Sequence, residues 1–184
     1  MTIIESIQYY LPELMQAMEE TLIMMSISIF AAVLIGLPLG ILLFISRENN
    51  NQGTILYQIL NLLITVIRSF PYLLFVVAMI PVTRFLLGSS FGPIPASIPL
   101  SIVSIVIYAR LVEQVLLDVP EDVGLLARSL GVSTYQYVKE FLLVEARSGL
   151  ILSLTTTIVS MVSYSTVMGI VGGGGIGDFA IRYG

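Results

Sequence analysis

The sequence predicts an all-α integral membrane protein with several spans, and three observations carry this prediction. Of the 184 residues, 57% are hydrophobic and only 11% are charged, and the mean hydropathy is +0.98. A soluble domain of this length needs far more charge to cover its surface. Several uncharged apolar stretches also exceed the roughly 20 residues that a helix needs to cross a bilayer. We therefore expect residues 1–184 to form a single multi-span helical domain.

The rest of the composition excludes several function classes. The chain has no cysteine and no histidine, which removes disulfides, thiolate metal sites and the commonest general base and metal ligand. A formal net charge of −4 and a pI near 4.7 give no support for a basic, nucleic-acid-binding surface. We therefore predict no catalytic residue, no metal site and no nucleic-acid partner.

Four apolar stretches are long enough to be spans: residues 21–45, 55–82, 85–109 and 148–177. Pro38 is expected to kink the first stretch, and a helix break is expected at Pro71 in the second. Glycines and prolines open the third stretch, so its spanning part is expected to begin near Ala96. Apart from tyrosines, Arg68 is then the only ionisable residue within the spans.

The basic residues outside these spans are concentrated on one side of the membrane. Five share that side: Arg47, Arg110, Arg128, Lys139 and Arg147. Only Arg84 and Arg182 lie on the other side. Because Lys and Arg in short loops are retained in the cytoplasm, we expect an external N-terminus and a cytoplasmic loop between the third and fourth spans.

That loop, about residues 110–147, carries half of all the charged residues and is the one sizeable water-facing element. Its pattern predicts two short helices around a tight break. Pro120 can sit in the first turn of a helix, Gly131 can take the left-handed position after its end, and Ser133 with Gln136 can form a capping box. The loop is therefore where we expect a partner to bind; an amphipathic connector is the alternative.

The spacing of the loop resembles the cytoplasmic signature of ABC-importer permeases. That signature reads E-A-A, three residues, Gly, nine residues, then I-x-L-P. Here Leu125, Leu126 and Ala127 occupy the first three positions, Gly131 is the glycine, and residues 141–144 are the final four. The letters differ at Leu125 and Leu126 and at both ends of the final four, whereas the spacing matches without a gap.

The resemblance covers nearly the whole chain, and within the superfamily it is strongest to the permease subunit of methionine importers. The stretches that carry it are residues 20–22, 35–40, 68–71, 79–81, 83–84, 109–113, 164–165 and 171–177. Permeases of this family have one more hydrophobic helix after the glycine-rich stretch. The resemblance therefore implies that the last helix of the family is absent from this sequence.

The resemblance implies a permease homodimer in the bacterial cytoplasmic membrane, in contact with lipid. Each permease subunit would place a short cytoplasmic coupling helix in a groove of an ATPase subunit, present in two copies, and an extracellular substrate-binding lipoprotein would deliver substrate. ATP and Mg would be bound by the ATPase, so this chain would be non-catalytic and bind no cofactor. The residues assigned to the coupling contact are Leu125, Leu126, Ala127, Arg128, Gly131, Val132 and Ser133.

Four residues are candidates for the lining of the translocation pathway. Arg68 is costly inside a span, so we expect it to be buried, paired or near water; structural pairing at the break is the alternative to a pathway role. The resemblance also implies that the segment with Tyr164, Ser165 and Met168 lies beside the pathway. Hydroxyl and thioether groups there suit a small apolar amino acid, and helix packing is the alternative.

The stretch Val171 to Gly177 contains Gly172-x-Gly174-x-x-Gly177, the spacing of a dinucleotide-binding fingerprint. That fingerprint needs a preceding strand and an acidic residue about 20 positions later. An apolar span precedes the glycines here, so we expect them instead to let helices or an external loop pack closely; a gate or pathway-lining role is the alternative.

The leading functional hypothesis is the membrane subunit of an ATP-driven importer that translocates L- or D-methionine. The first alternative is the same type of permease with another cargo, such as another amino acid, glycine betaine or a phosphonate. A secondary transporter or channel is the alternative from another class, and it is disfavoured because no acidic residue within the predicted spans could relay a proton or sodium ion. A membrane scaffold would not need the Gly131 break.

Overall fold

The computed structural model describes residues 3–48 and 55–183, and the side chains within it from residue 9 onwards except that of residue 48. This part of the chain contains helices and turns and no strand, as the sequence predicts. The helices are α1 (Ile3–Ala31), α2 (Leu37–Glu48), α3 (Ile55–Ser69), α4 (Tyr72–Leu87), α5 (Pro93–Leu117), α6 (Glu121–Ser129), α7 (Thr134–Gln136), α8 (Leu143–Glu145), α9 (Arg147–Ile170) and α10 (Gly175–Tyr183). Two π-helical segments, π1 (Ala32–Gly36) and π2 (Tyr137–Leu142), interrupt the series.

The first predicted span is confirmed as part of a long apolar helix, α1–π1–α2, whose membrane-length portion is Tyr9–Arg47. The π-helical turn lies just before Pro38, where the amide of Leu37 donates to the carbonyl of Ala32, five residues earlier. Proline lacks an amide hydrogen and crowds the preceding turn, and a π-turn is one way to absorb this disturbance. The irregularity expected at Pro38 is therefore located in the turn before it.

The second predicted span is not one straight helix. Helices α3 and α4 meet at an angle of 108° with only Phe70 and Pro71 between them. Pro71 has ψ of 130°, outside the helical region, and proline also disfavours helical geometry in the residue before it. The break expected at Pro71 is therefore present, but it produces a broken span or a re-entrant pair. The described residues contain three membrane-length helices, or four spans if the bent pair counts as one.

The third span is longer than predicted at both ends. Helix α5 begins at Pro93, directly after Gly92 with φ of +98°, rather than near Ala96. It continues to Leu117, past the expected end at Ala109, because Arg110 and the buried Glu113 are paired with each other instead of ending the helix. The segment between α5 and α9 is correspondingly shorter than 110–147 and comprises residues 118–146.

Helix α5 is the centre of the fold, with α1, α2, α3, α4 and α9 packed around it. Close approach to α2 depends on Gly40, since a Cβ atom there would lie 2.6 Å from the carbonyl oxygen of Ala109. On the α1 side, the hydroxyl of Ser104 donates to the carbonyl of Ser28 at 2.8 Å. Small residues and hydroxyl groups are what membrane helices use to pack closely.

The fourth predicted span divides into α9, a glycine turn and α10. Helix α9 ends at Ile170, and Gly172, Gly174 and Gly175 in and after the turn have φ between +78° and +80°. The start of α10 is capped by α1: the amide of Gly175 donates to Glu20 Oε2 at 2.7 Å and that of Ile176 to Thr21 Oγ1 at 2.9 Å. A carboxylate is favourable at a helix N-terminus. The glycines therefore serve packing, as predicted, and the dinucleotide interpretation is excluded.

Candidate coupling segment and pathway residues

The candidate coupling helix is α6, and its ends are built as the sequence predicts a helix should be. Pro120 precedes it in an extended conformation, with φ of −55° and ψ of 138°, and so lies one position before the first turn predicted for it. Glu121 and Asp122 occupy the first turn and Arg128 the last. Negative charge at the start and positive charge at the end both interact favourably with the helix dipole.

The break after α6 is a Schellman turn at Gly131. Gly131 has φ of +66°, its amide donates to the carbonyl of Arg128 at 3.1 Å, and the amide of Val132 donates to that of Ala127 at 3.3 Å. These two hydrogen bonds satisfy carbonyls that the end of a helix leaves free. The left-handed position predicted for Gly131 is confirmed.

The chain restarts as helix at Ser133 through a capping box. The amide of Gln136 donates to Ser133 Oγ at 3.3 Å, and the amide of Ser133 donates to Gln136 Oε1 at 3.0 Å. Each side chain thus accepts from the other residue's backbone, as the spacing of Ser133 and Gln136 predicts. Two helices therefore meet at a fixed turn of residues 130–133.

Three leucines are exposed on α6 and at its C-terminal end, beside exposed charged side chains. Leu125, Leu126 and Leu130 are each more than half exposed, whereas Ala127 and Gly124 are buried against the rest of the chain. We call the three leucines the leucine face. Leu130 was not among the predicted coupling residues; its position four residues after Leu126 is the sequence signal that indicates it. Of the other predicted residues, Arg128 and Ser133 are exposed and Val132 is half-buried.

Arg68 lies in the last turn of α3, immediately before the bend into α4. Its side chain is exposed, and none of the described residues forms a hydrogen bond or ion pair with it. Among the described residues, therefore, Arg68 has no pairing partner, and its side chain is not buried. Of the three expectations for Arg68, proximity to water is the one that stands. Its role in the pathway remains a prediction.

The other three pathway candidates do not share one surface. Ser165 and Met168 are buried, and Ser165 donates to the carbonyl of Val162 at 2.8 Å. Tyr164 is half-buried and packs against Tyr72 of α4 with 4.4 Å between the ring centroids. Helix packing, the alternative considered for these residues, accounts for the buried positions of Ser165 and Met168 within a single chain. Of the three side chains, only that of Tyr164 is partly exposed.

An acidic residue within a span contradicts the prediction that none is present. Glu113 lies on α5 with a side chain only 1% exposed, and Arg110 Nη1 is 2.6 Å from its Oε2. Arg47 Nη1 of α2 is 3.6 Å from its Oε1. Sequence reasoning placed Glu113 in the water-facing loop because hydropathy marks a charge as the end of a span, even where tertiary partners neutralise it. Among the described residues, no group of three or more acidic side chains could hold a metal ion.

Comparison with known proteins gives consistent matches. Residues 36–183 match the family described as binding-protein-dependent transport system inner membrane component. The probable D-methionine transport system permease protein MetI of Vibrio cholerae is 40% identical over 93% of this chain and 76% of its own length. That of Pasteurella multocida is 38% identical over 90% and 76%. A solved inward-facing structure of the MetNI methionine ABC transporter superposes with a TM-score of 0.87 at 34% identity, covering 97% of this chain and 82% of the other.

Proposed function

Because the chain belongs to the family of binding-protein-dependent transport system inner membrane components, we propose that it is the permease subunit of an ATP-driven methionine importer. The observation that carries the proposal is a short helix with an exposed leucine face, which ends at the Gly131 turn and lies between two membrane-length helices in the chain. Relatives named as D-methionine permeases supply the cargo. The similar solved structure is named for methionine without a stereoisomer, so both L- and D-methionine are candidate substrates.

The leucine face supports an ATPase partner. Exposed apolar side chains on a water-facing helix are costly unless a partner covers them, and full burial of one leucine is worth about 1.5–3 kcal/mol. Two such residues on α6, together with Leu130 directly after its end, form a contact able to transmit rigid-body motion to α5, which ends only three residues before α6 begins. ATP and Mg would be bound by that partner, and this chain would carry out no hydrolysis.

The assembly we propose is a permease homodimer with two ATPase subunits and an extracellular binding lipoprotein. The MetNI structure that this chain resembles is an ABC transporter, which supports the ATPase, and a pathway between two copies suits a chain with three or four spans. The charge bias favours an external N-terminus with α6 in the cytoplasm. Methionine would then enter from the side opposite the ATPases.

The proposal is tested by uptake of labelled methionine into proteoliposomes that contain the full-length permease, its ATPase and its binding protein. We expect uptake that requires ATP. If the complex imported another amino acid, glycine betaine or a phosphonate with ATP but did not import methionine, the importer hypothesis would stand and methionine would be rejected as its substrate. Flux through the permease without ATP would reject the importer and favour a secondary transporter or channel.

Leu126→Glu is expected to weaken association of the permease with the ATPase at least tenfold. The carboxylate would have to be desolvated in an apolar contact, which is unfavourable without a paired cation, whereas in the free permease it points into water. Folding of the permease alone should therefore be unaffected. Co-purification of the ATPase with the permease, titrated over ATPase concentration, measures the change.

Leu126→Met is the matched control, because it conserves volume and apolarity and should bind the ATPase within about twofold of the parent chain. Equal binding of the Glu and Met variants would exclude the leucine face as the docking surface. If the Glu variant failed to fold and the Met variant folded normally, the leucine face would be covered by the second permease subunit and not by the ATPase.

A further inference from the structure

One buried carboxylate joins three helices close to the coupling segment. Arg110 Nη1 contacts Glu113 Oε2 at 2.6 Å and also donates to Asn61 Oδ1 at 3.1 Å. Arg47 Nη1 approaches Glu113 Oε1 to 3.6 Å, and no residue of the described part donates a hydrogen bond to that oxygen. Arg47 belongs to α2 and Asn61 to α3, whereas Arg110 and Glu113 belong to α5. We call these four residues the Glu113 network.

The charges of the network are unevenly solvated. The Glu113 side chain is 1% exposed, whereas those of Arg110 and Arg47 are 26% and 50% exposed. Both arginines therefore retain water, and the carboxylate depends on them for its stabilisation. A buried ion pair adds little to stability compared with an apolar substitute, but its hydrogen bonds have defined directions. Between helices, the network has one hydrogen bond, from Arg110 to Asn61 of α3, and one charge contact without a hydrogen bond, from Arg47 of α2 to Glu113.

Apolar packing alongside the network does not impose the same constraint. Leu43 of α2, Ile64 of α3 and Val106 of α5 form one buried cluster between these helices. Hydrophobic contact is non-directional, so small sliding of one helix past another changes its energy little. Hydrogen bonds weaken steeply with distance and angle. The register of α3 against α5 is therefore set more sharply by the Arg110–Asn61 hydrogen bond, for which Glu113 holds Arg110 in place, than by the apolar cluster. Helix α2 is held instead by the charge contact of Arg47 with the buried carboxylate.

The network also lies next to the part of α5 that is tied to the coupling segment. Val112 and Leu116, on either side of Glu113 in sequence, belong to a buried cluster with Phe44 of α2 and with Leu142 and Ala146, which follow the coupling turn. Helix α5 ends at Leu117, one turn beyond Glu113. Helix α6 packs on π2, so this cluster is one route by which movement of α6 reaches the end of α5.

We propose that Glu113 is a positioning residue for transport: through Arg110, Arg47 and Asn61 it fixes α2 and α3 to the end of α5, so that the three helices move together when α6 moves. The inference rests on the proposed function. Without the carboxylate, the partner ATPase would still bind and hydrolyse ATP, but part of the motion would be lost as sliding between helices. The measurable consequence is fewer solute molecules imported for each ATP hydrolysed.

The experiment measures methionine uptake and ATP hydrolysis together in proteoliposomes of the complete complex. The parent complex is measured first. If it shows no ATP-driven methionine uptake, the proposed function is rejected independently of the role of Glu113. Glu113→Gln is expected to hydrolyse ATP within twofold of the parent and to import at least fivefold less methionine per ATP. Glu113→Asp, which keeps the charge, should recover at least half of that loss. Glu19→Gln, an exposed carboxylate on α1, should retain the parent ratio.

A double variant covers the case in which Glu113→Gln folds poorly because Arg110 loses its counter-charge. Arg110→Gln with Glu113→Gln leaves two neutral amides that can hydrogen-bond to each other, and it should also import at least fivefold less methionine per ATP. A ratio within twofold of the parent in either glutamine variant would overturn the proposal. A proportional fall in uptake and hydrolysis, with the ratio unchanged, would likewise overturn it and leave Glu113 a purely structural role.

Discussion

Gly131→Val is expected to reduce ATP-driven uptake at least tenfold while the permease still inserts into the membrane. Gly131 has φ of +66°, a conformation that costs an ordinary L-residue about 1–2 kcal/mol and that β-branched residues adopt only as outliers. A Cβ atom there would meet no other atom within 4 Å. The whole effect must therefore come from the backbone conformation and not from a clash with neighbours.

The strain is relieved only by changing the turn. If φ of residue 131 becomes negative, the hydrogen bonds from the amides of Gly131 and Val132 to the end of α6 are lost, and the direction in which the chain enters the Ser133 capping box changes. Helix α6 would keep its leucine face but present it at a different angle to the ATPase. Because the turn lies outside the membrane-length helices, membrane insertion should be preserved.

The measurement is methionine uptake in proteoliposomes, normalised to the amount of permease recovered in folded form from the membrane. Gly131→Asn is the matched control, since asparagine also occurs at left-handed positions after helices and should retain most of the uptake. If the valine variant transported within twofold of the parent chain, a fixed turn angle would not be needed for coupling. If both variants failed equally, the requirement would be for the absence of a side chain, and the backbone explanation would be wrong.

The coupling turn was predictable because its determinants are local. Gly131, Ser133 and Gln136 act on backbone groups at most four residues away, and each residue type has a known preference for the position it occupies. The membrane character was predictable for a similar reason, since hydropathy is summed along a continuous stretch. Leu130 could have been added by extending the helical spacing from Leu126.

The features that were missed depend on contacts distant in sequence. Glu113 is compatible with a span because Arg47, 66 positions earlier, and Arg110 lie beside it, and hydropathy contains no information about such partners. The break at Pro71 follows from residue type, but its 108° angle is set by how α3 and α4 pack on α5. Likewise, sequence alone does not show that Glu20 and Thr21 cap a helix that begins at Gly175.

The second large effect is expected on stability, from substitution of a glycine at the contact between α9 and α10. Two glycines there allow the backbones of the two helices to touch. A Cβ atom on Gly177 would collide with the carbonyl group of Thr166, and one on Gly169 would collide with the backbone amide of Asp178. Backbone atoms cannot rotate away as a side chain can, so the helices would have to separate. Overpacking of this kind typically costs about 1–3 kcal/mol, and separation would also pull Gly175 from Glu20.

Gly177→Ala is therefore expected to lower the melting temperature of the detergent-solubilised chain by about 5 °C or more. Gly124→Ala is the matched control: its Cβ atom would lie an ordinary 3.5 Å from the Tyr137 hydroxyl, and alanine is favoured over glycine within a helix. Thermal unfolding of the two variants and the parent, followed by tyrosine fluorescence, makes the comparison. Equal melting temperatures would show that α10 can move away from α9 at little cost, and in that case the capping by Glu20 and Thr21 could not be what holds α10 in place.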